Sequence, residues 1–268
     1  IITLTDPSGH SHSESLGPNG ISKLFPGQLG FADASLDHTS QQPRAFRLTT
    51  DEPIVAYQFN PLDNVGVFSN DGSLLIPQHA YDTIYYVLTL PTLERRPGKN
   101  DYSGYVSIVG TSPGSTTVRV HPTSAIRAGI GIGRLRAGEP VEFTLAQGDV
   151  LNLEAEANGD LTGTKIESVD ESTTFGAFVG HEATVLSDRP PMNGLCCADH
   201  VEEQLLPAST WGSQFVIART EPRADRTRGG GSAPDMLRIL AQKDNTQITF
   251  DPPVVGMCPV LSTGQFCD

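Results

Sequence analysis

The stretch IPQHAYDTIYYVLTL at residues 76–90 decides the fold, because its pattern returns later in the chain. Ile76-Pro77, a short gap and Ile84-Tyr85-Tyr86-Val87 match Leu206-Pro207, a gap of the same size and Gln214-Phe215-Val216-Ile217. The two stretches are 130 residues apart. A fixed internal period predicts a repeated structural unit, so the sequence predicts two copies of one module.

Other segments repeat at similar offsets. The matches are Val106-Ser107-Ile108-Val109 with Leu237-Arg238-Ile239-Leu240, Thr116-Thr117-Val118 with Thr246-Gln247-Ile248, and Ala56-Tyr57 with Ala177-Phe178 at an offset of 121 residues. The boundary between the copies is expected between Gly163 and Ser172. The second copy stops after about its fourth strand, so we expect it to be completed by the N-terminal segment or the chain to be a fragment.

The local pattern is that of an all-β protein. With 27 Gly and 20 Pro the chain leaves little room for long helices. Ile54–Phe59 is β-branched and aromatic, which predicts a buried strand. The segments 105–110 and 116–120 flank Ser112-Pro113-Gly114 and predict a hairpin, and 141–145 alternates as a half-exposed strand should. Short strands about 10 residues apart are typical of sandwiches.

The predicted architecture is two tandem, related β-sandwich modules of the jelly-roll or Ig-like type. We expect residues 1–45 to be an N-terminal segment that packs on the modules. Residues 46–168 are predicted to be the first module and residues 169–268 the second, which is either incomplete or completed by the N-terminal segment.

Composition excludes several classes of function. The net charge of −13 argues against nucleic-acid binding, which needs an excess of Lys and Arg. No apolar run approaches the roughly 18 residues of a membrane span. Gly129–Gly133 lacks the spacing of a phosphate-binding loop. No cofactor is therefore expected.

Four cysteines, Cys196, Cys197, Cys258 and Cys267, cluster near the C-terminal end of the chain. They include no C-x-x-C pair, so they indicate two disulfides more readily than a metal site. Disulfides persist in oxidising compartments, which predicts an extracellular, secreted or cell-surface location.

One cluster of acidic and histidine residues could carry chemistry. His181, Glu182, Asp199, His200 and Glu203 supply two imidazoles and three carboxylates, enough to bind zinc or another divalent ion. Neither spacing is a known ligand motif, so we favour a structural role. In that interpretation Asp199 caps a short helix with Glu202 closing a capping box, and Cys196–Gln204 is a tethered turn present only in the second copy.

At these residues the chain resembles the N-terminal domain of the IgGFc-binding protein family. The resemblance is specific along Asp199–Gly212, with Gly180-His181-Glu182 before it and Phe215-Val216-Ile217 after it. Stretches 55–61 and 161–166 are also similar to that domain. The sequence Asp-His followed by Glu-Glu-Gln resembles the bacterial members of the family more than the animal ones. Ala183 and Ala198 stand where such domains often have cysteine.

Because the two family cysteines are absent, three disulfide pairings are open to the four cysteines that are present. Cys196 and Cys197 could each reach one of Cys258 and Cys267, in either order, or Cys258 could bond Cys267. Adjacent cysteines rarely bond to each other. We therefore favour the pairings in which each adjacent cysteine reaches one C-terminal cysteine.

The resemblance implies a secreted, non-catalytic module for binding or adhesion within a larger secreted or surface assembly. The expected partner is a protein or a glycan. Two alternatives remain: a fibre or extracellular-matrix subunit that associates with itself through edge strands, and a metal-dependent hydrolase built on His181, Glu182, Asp199, His200 and Glu203.

Overall fold

The computed structural model describes residues 1–60, 69–94, 101–185, 198–218, 235–254, 258 and 260–268. Within these residues the chain is all-β, as predicted, with two short 3-10 turns at Gln78–Ala80 and Ala208–Thr210. No helix of the described part is long and apolar enough to cross a membrane. The strands are β1 Ile2–Thr5, β2 Ser11–Glu14, β3 Ser40–Pro43, β4 Arg47–Thr50, β5 Tyr57–Asn60, β6 Asp71–Leu74, β7 Ile84–Tyr86, β8 Gly104–Gly110, β9 Ser115–His121, β10 Val141–Ala146, β11 Asp149–Glu154, β12 Lys165–Ser168, β13 Phe175–Thr184, β14 Asp199–Gln204, β15 Ile239–Leu240 and β16 Phe266–Cys267.

Two antiparallel sheets form a β-sandwich. The first has five strands in the order β14-β13-β8-β11-β3, and the second has four in the order β10-β9-β12-β7. Alternate side chains of each strand face the other sheet, which gives one continuous apolar core. The core is lined by Tyr85, Val87, Val106, Ile108, Val118, Val120, Ile126, Leu145, Leu151, Leu153, Ala155, Leu161, Ile166, Phe175, Ala177 and Val179.

The predicted hairpin between 105–110 and 116–120 is wrong as a pairing, although both strands exist. β8 belongs to the five-stranded sheet and β9 to the four-stranded sheet. The turn between them, in which Gly114 has a φ of +89°, carries the chain across the sandwich. Both strands alternate towards one core, and this pattern does not distinguish a hairpin from a crossing between two sheets.

Two other predicted strands differ from expectation in exposure. The stretch Ile54–Phe59 contributes to β5, but it lies on the surface, with Val55, Tyr57 and Phe59 largely exposed. Residues 214–217 form no strand, and Val216 is fully exposed. The apolar composition of Ile54–Phe59 predicted burial, but among the described residues no sheet is packed over either segment.

The sheets do not follow the predicted division of the chain. The five-stranded sheet takes β3 from residues 1–45, β8 and β11 from residues 46–168, and β13 and β14 from residues 169–268. The core likewise includes Phe175, Ala177 and Val179. The tandem arrangement is therefore not confirmed, and the three domain boundaries remain predictions.

The repeat has local counterparts in the structure. Pro77 and Pro207 each precede a three-residue 3-10 turn, with φ and ψ of −67° and 145° at Pro77 and −65° and 152° at Pro207. Each turn ends at an aromatic residue in extended conformation, Tyr81 or Trp211. The equal offset seen in the sequence thus corresponds to equal backbone geometry at these two places.

One arginine anchors the C-terminal strands to the sandwich. Arg238 donates to the carbonyl of Thr89 at 2.6 Å, to Asp160 at 2.8 Å and to both carboxylate oxygens of Asp268 at 2.6 and 2.7 Å. Its guanidinium also lies 4.5 Å from the centroid of the Phe266 ring. These contacts bind β15 and β16 to the loops at one end of the core.

The disulfide of this region differs from the favoured pairing. Cys258 is bonded to Cys267, with 5.6 Å between the Cα atoms, so neither reaches Cys196 or Cys197. Cys196 and Cys197 lie outside the described residues. The antiparallel pairing of β15 with β16 keeps the C-terminal residues within their own small unit, which favours a bond that closes a short loop.

Arg238→Ala is expected to lower the free energy of unfolding by about 2–4 kcal/mol, because it leaves the partly buried Asp160 without its cation. Urea denaturation measures the loss. The control is Arg136→Ala, since the Arg136–Glu139 pair is exposed and should contribute well under about 1 kcal/mol. Equal losses in the two variants would contradict the anchoring role.

Candidate functional site

The predicted cluster of acidic and histidine residues is divided between two faces of the sheet. His181 and Glu182 are neighbours on β13, and Asp199, His200 and Glu203 lie on β14. Successive side chains of a strand point to opposite faces, so the five cannot converge. Among the described residues, no group of three or more His, Cys, Asp or Glu side chains could hold a metal ion. The hydrolase alternative therefore has no support from the geometry.

His181 is a structural residue. Its ring is fully buried, its Nε2 donates to the carbonyl of Pro91 at 2.9 Å, and its Nδ1 accepts from the N–H of Ala183 at 3.2 Å. Burial lowers the pKa of His181, an effect larger than that of the Pro91 contact. Both nitrogens are thus used by a neutral imidazole, which leaves no lone pair for a metal.

The capped turn predicted at Asp199 is also wrong, because Asp199–Gln204 is strand β14. Asp199 is exposed, and Glu203 accepts a hydrogen bond from the hydroxyl of Ser73 at 3.2 Å. Glu182 accepts from the N–H of Ser103 at 2.6 Å. The sequence of 199–204 has no apolar alternation that would indicate a strand, and the three-residue spacing of Asp199 and Glu202 is that of a capping box.

A row of polar groups that the sequence did not indicate crosses the outer face of the five-stranded sheet. Glu154, Tyr105, Gly180 and Glu202 lie opposite one another on β11, β8, β13 and β14. A Cβ added at Gly180 would lie 2.3 Å from the Tyr105 hydroxyl, so the absence of a side chain lets Tyr105 lie across the sheet towards Glu202. Burial, and then the surrounding carboxylates, raise the pKa of Tyr105 well above its ordinary value.

The row of polar groups ends at His200 and Glu202, a buried pair in which each side chain has a polar atom without a hydrogen-bond partner among the described residues. His200 Nε2 is 3.7 Å from Glu202 Oε2, which is an ion-pair distance but too long for a hydrogen bond. Among the residues that the structure describes, neither His200 Nε2 nor Glu202 Oε1 has a hydrogen-bond partner, and both side chains are at least nine-tenths buried. Burial lowers the pKa of His200, but the Glu202 carboxylate, the main chain of Glu182 and the charge of Asp71 together outweigh burial, and the net shift is upward.

Side chains of β6, and of Ser69 two residues before it, cover the outer edge of β14. The main-chain N–H groups of His200, Glu202 and Gln204 donate to Ser69, Asp71 and Ser73 at 2.8, 2.9 and 2.7 Å. Alternate residues of a strand point to the same side, so residues 69, 71 and 73 can reach the N–H groups of residues 200, 202 and 204 in turn. The hairpin of β5 and β6 is thereby fixed to the sandwich.

The exposed face of this hairpin is the candidate binding surface. Tyr57 and Phe59, which are 57% and 58% exposed, stack with their ring centroids 6.2 Å apart. Val55 and Leu74 extend the exposed apolar area. An open cavity of about 420 Å³ is lined by Tyr57, Phe59, Asn70, Asp71 and Gly72. The sequence showed the aromatic character of this strand but not its exposure.

His200 should make stability depend on pH. Its folded-state pKa is raised above the ordinary value of 6.5, so its stabilising contribution is complete below pH 6.5 and is lost as the pH rises through the folded-state pKa. The loss of unfolding free energy in His200→Gln should therefore be largest near pH 6 and shrink towards alkaline pH. Urea denaturation at a series of pH values measures it, with the exposed His79→Gln as control; a difference that grows with pH would contradict the assignment.

Comparison with known proteins places these elements in a family. The family model described as IgGFc binding protein matches residues 71–268, which contain the polar row, β6 and every strand of the sandwich except β3. The human IgGFc-binding protein is 28% identical over 145 residues, which are 54% of this chain and 2% of that protein. No solved structure matches. Because the family model covers well over half of the sequence, the chain belongs to the IgGFc-binding protein family.

Proposed function

We propose that the chain is a non-catalytic binding or adhesion module that takes a protein ligand within an extracellular or cell-surface assembly. Family membership supports a binding role, and the Cys258–Cys267 disulfide supports an oxidising compartment. The similarity to bacterial members seen in the sequence suggests a bacterial surface or secreted protein. The observation that carries the proposal is the exposed aromatic face of the β5–β6 hairpin.

This face has the physical properties of a protein-binding site. Aromatic side chains dominate the energetics of protein interfaces, because each buries a large area with few rotatable bonds. Tyr57 and Phe59 are already held in place, since they stack on each other and the Phe59 ring lies over Gly72, where an added Cβ would be 2.5 Å from it. A preorganised surface loses little side-chain entropy when a partner binds.

The charge of the chain narrows the class of partner. The net charge is −13, and Asp71 lines the cavity beside Tyr57 and Phe59. A partner surface that combines apolar groups with Lys or Arg is complementary to this face, and such complementarity raises the association rate. A glycan remains the other class of ligand that the family resemblance suggested.

A fibre or matrix subunit is the second candidate, and one observation favours it. Phe215, Val216 and Ile217 form an exposed apolar run. Exposed runs of this kind promote association between chains. Light scattering at increasing concentration tests it, and a monodisperse monomer throughout would count against self-association.

The double variant Tyr57→Ala/Phe59→Ala should lose binding without unfolding. Binding is measured by screening the labelled chain on arrays of extracellular proteins and glycans, and then by surface plasmon resonance on each positive protein. We expect the dissociation constant to rise at least about tenfold, since interface aromatics typically contribute more than about 1 kcal/mol each. Ile21→Ala, another exposed apolar position, is the control and should leave binding unchanged.

Thermal unfolding of both variants separates lost binding from lost structure. If the wild-type chain binds proteins on the array and the double variant binds them with equal affinity, the hairpin face is not the binding site.

A further inference from the structure

Two pairs of strands in this chain are built alike. In the first pair, the N–H of Leu75 donates to the carbonyl of Ala56 at 2.9 Å, directly beyond β5 and β6. In the second, the N–H of Leu205 donates to the carbonyl of Ala177 at 2.9 Å, where β13 meets β14. Ala177 and Leu205 stand 121 and 130 residues after Ala56 and Leu75, the two offsets of the sequence repeat.

The strand registers follow the same correspondence. Tyr57 lies opposite Leu74, and Phe178 lies opposite Gln204, which are again 121 and 130 residues later. Each pair then continues into the proline and 3-10 turn described above. The β5–β6 hairpin therefore occupies, in the first copy of the repeat, the place that β13 and β14 occupy in the second.

The two pairs differ in what lies on their other edge. β13 also pairs with β8, where Phe178 lies opposite Ser107 and Gly180 opposite Tyr105. Among the described residues, β5 pairs with β6 only. Among the described residues, this difference leaves the outward main-chain groups of β5 without the partner strand that β13 has in β8.

The hydrogen-bonding direction of β5 is fixed by its pairing with β6. In an antiparallel pair, residues alternate between bonding to the partner and pointing away from it. Ala56 bonds to Leu75, so the main-chain groups of Gln58 also face β6 and those of Tyr57 and Phe59 point to the open edge. The same rule directs Phe178 and Gly180 of β13 towards β8.

We propose that the open edge of β5 binds an extended antiparallel strand of a partner polypeptide, with the sequence character of β8, through the main-chain groups of Tyr57 and Phe59. The inference rests on the proposed binding function of the hairpin face and specifies how the partner is held. By correspondence with β13, Tyr57 lies opposite the residue equivalent to Ser107, and Phe59 opposite the residue equivalent to Tyr105. Main-chain bonds supply affinity, and the side chains of Tyr57 and Phe59 contact alternate side chains of the added strand.

The structure favours a partner strand over a second copy of this chain. The β8 strand of a second copy is already paired on both edges, with β11 and β13. Two copies also carry −13 each and repel one another. A strand of another module can have the β8 sequence pattern and be flanked by cationic residues. Such a strand is neither already paired nor repelled by the negative charge of this chain.

The direct test uses a synthetic peptide with the sequence of Gly104–Gly110, GYVSIVG, between pairs of lysines and labelled with a fluorophore. Binding to the whole chain is followed by fluorescence anisotropy. N-methylation at the positions of Tyr105 and Ser107 removes the donors that would face β5, and we expect binding to weaken at least about tenfold. N-methylation at the positions of Val106 and Ile108 is the matched control, because those N–H groups face away, and binding should change less than about twofold.

Variants of the chain test the same edge from the other side. Tyr57→Pro removes an outward N–H and keeps the bonds to β6, so peptide binding should fall at least about tenfold while the thermal unfolding temperature changes little. Tyr57→Ala keeps the N–H and should weaken binding less than Tyr57→Pro does. Hydrogen exchange should show protection of the Tyr57 and Phe59 amides when the peptide is bound.

The outcomes separate this inference from the proposed function. Equal weakening by both methylation patterns, or no binding of the peptide at millimolar concentration, would overturn strand addition. Array proteins that lose binding to Tyr57→Ala/Phe59→Ala but bind Tyr57→Pro as well as they bind Tyr57→Ala would leave the proposed function standing and refute the inference. If Tyr57→Pro fails to fold, the two methylated peptides still decide the question with the wild-type chain.

Discussion

The pairing of β13 with both β8 and β14 is the interaction on which the rest of the structure depends. This ten-residue strand brings Phe175, Ala177 and Val179 into the core and joins segments distant in sequence into one sheet. An antiparallel strand paired on both edges has all its main-chain groups satisfied. β13 can therefore be buried, and the polar row on its outer face is positioned by its register.

That outer face shows how buried carboxylates are accommodated in an acidic protein. Glu154 accepts from Ser103 and lies 3.8 Å from Arg127, and Glu182 accepts from the main chain. Burial raises the pKa of Glu154, and the Glu182 charge adds to the effect. Glu202 is balanced mainly by His200, so the protonation of one imidazole is coupled to the stability of this face.

The β5–β6 hairpin connects this stability to the proposed binding. Ser69, Asp71 and Ser73 satisfy the edge of β14, so the hairpin is fixed on one side by side-chain contacts. Its other side presents Tyr57 and Phe59 to solvent. The similar pair of β13 and β14 is joined to β8 in the five-stranded sheet, and β13 is buried by the core between the two sheets. The exposure of β5 is thus a property of its surroundings and not of the strand.

The sequence by itself determined the all-β class, the alternation of β10, the return of the Ile76-Pro77 pattern at Leu206-Pro207 and the membership of a family. These features follow from local patterns, because alternation and proline geometry act within a few residues. Only the tertiary structure decided that β8 and β9 lie in different sheets, that β5 is exposed, that His181 and His200 lie on opposite faces and that Cys258 bonds Cys267. Each of these depends on which distant strands become neighbours, and a strand's own residues specify its faces but not its partners.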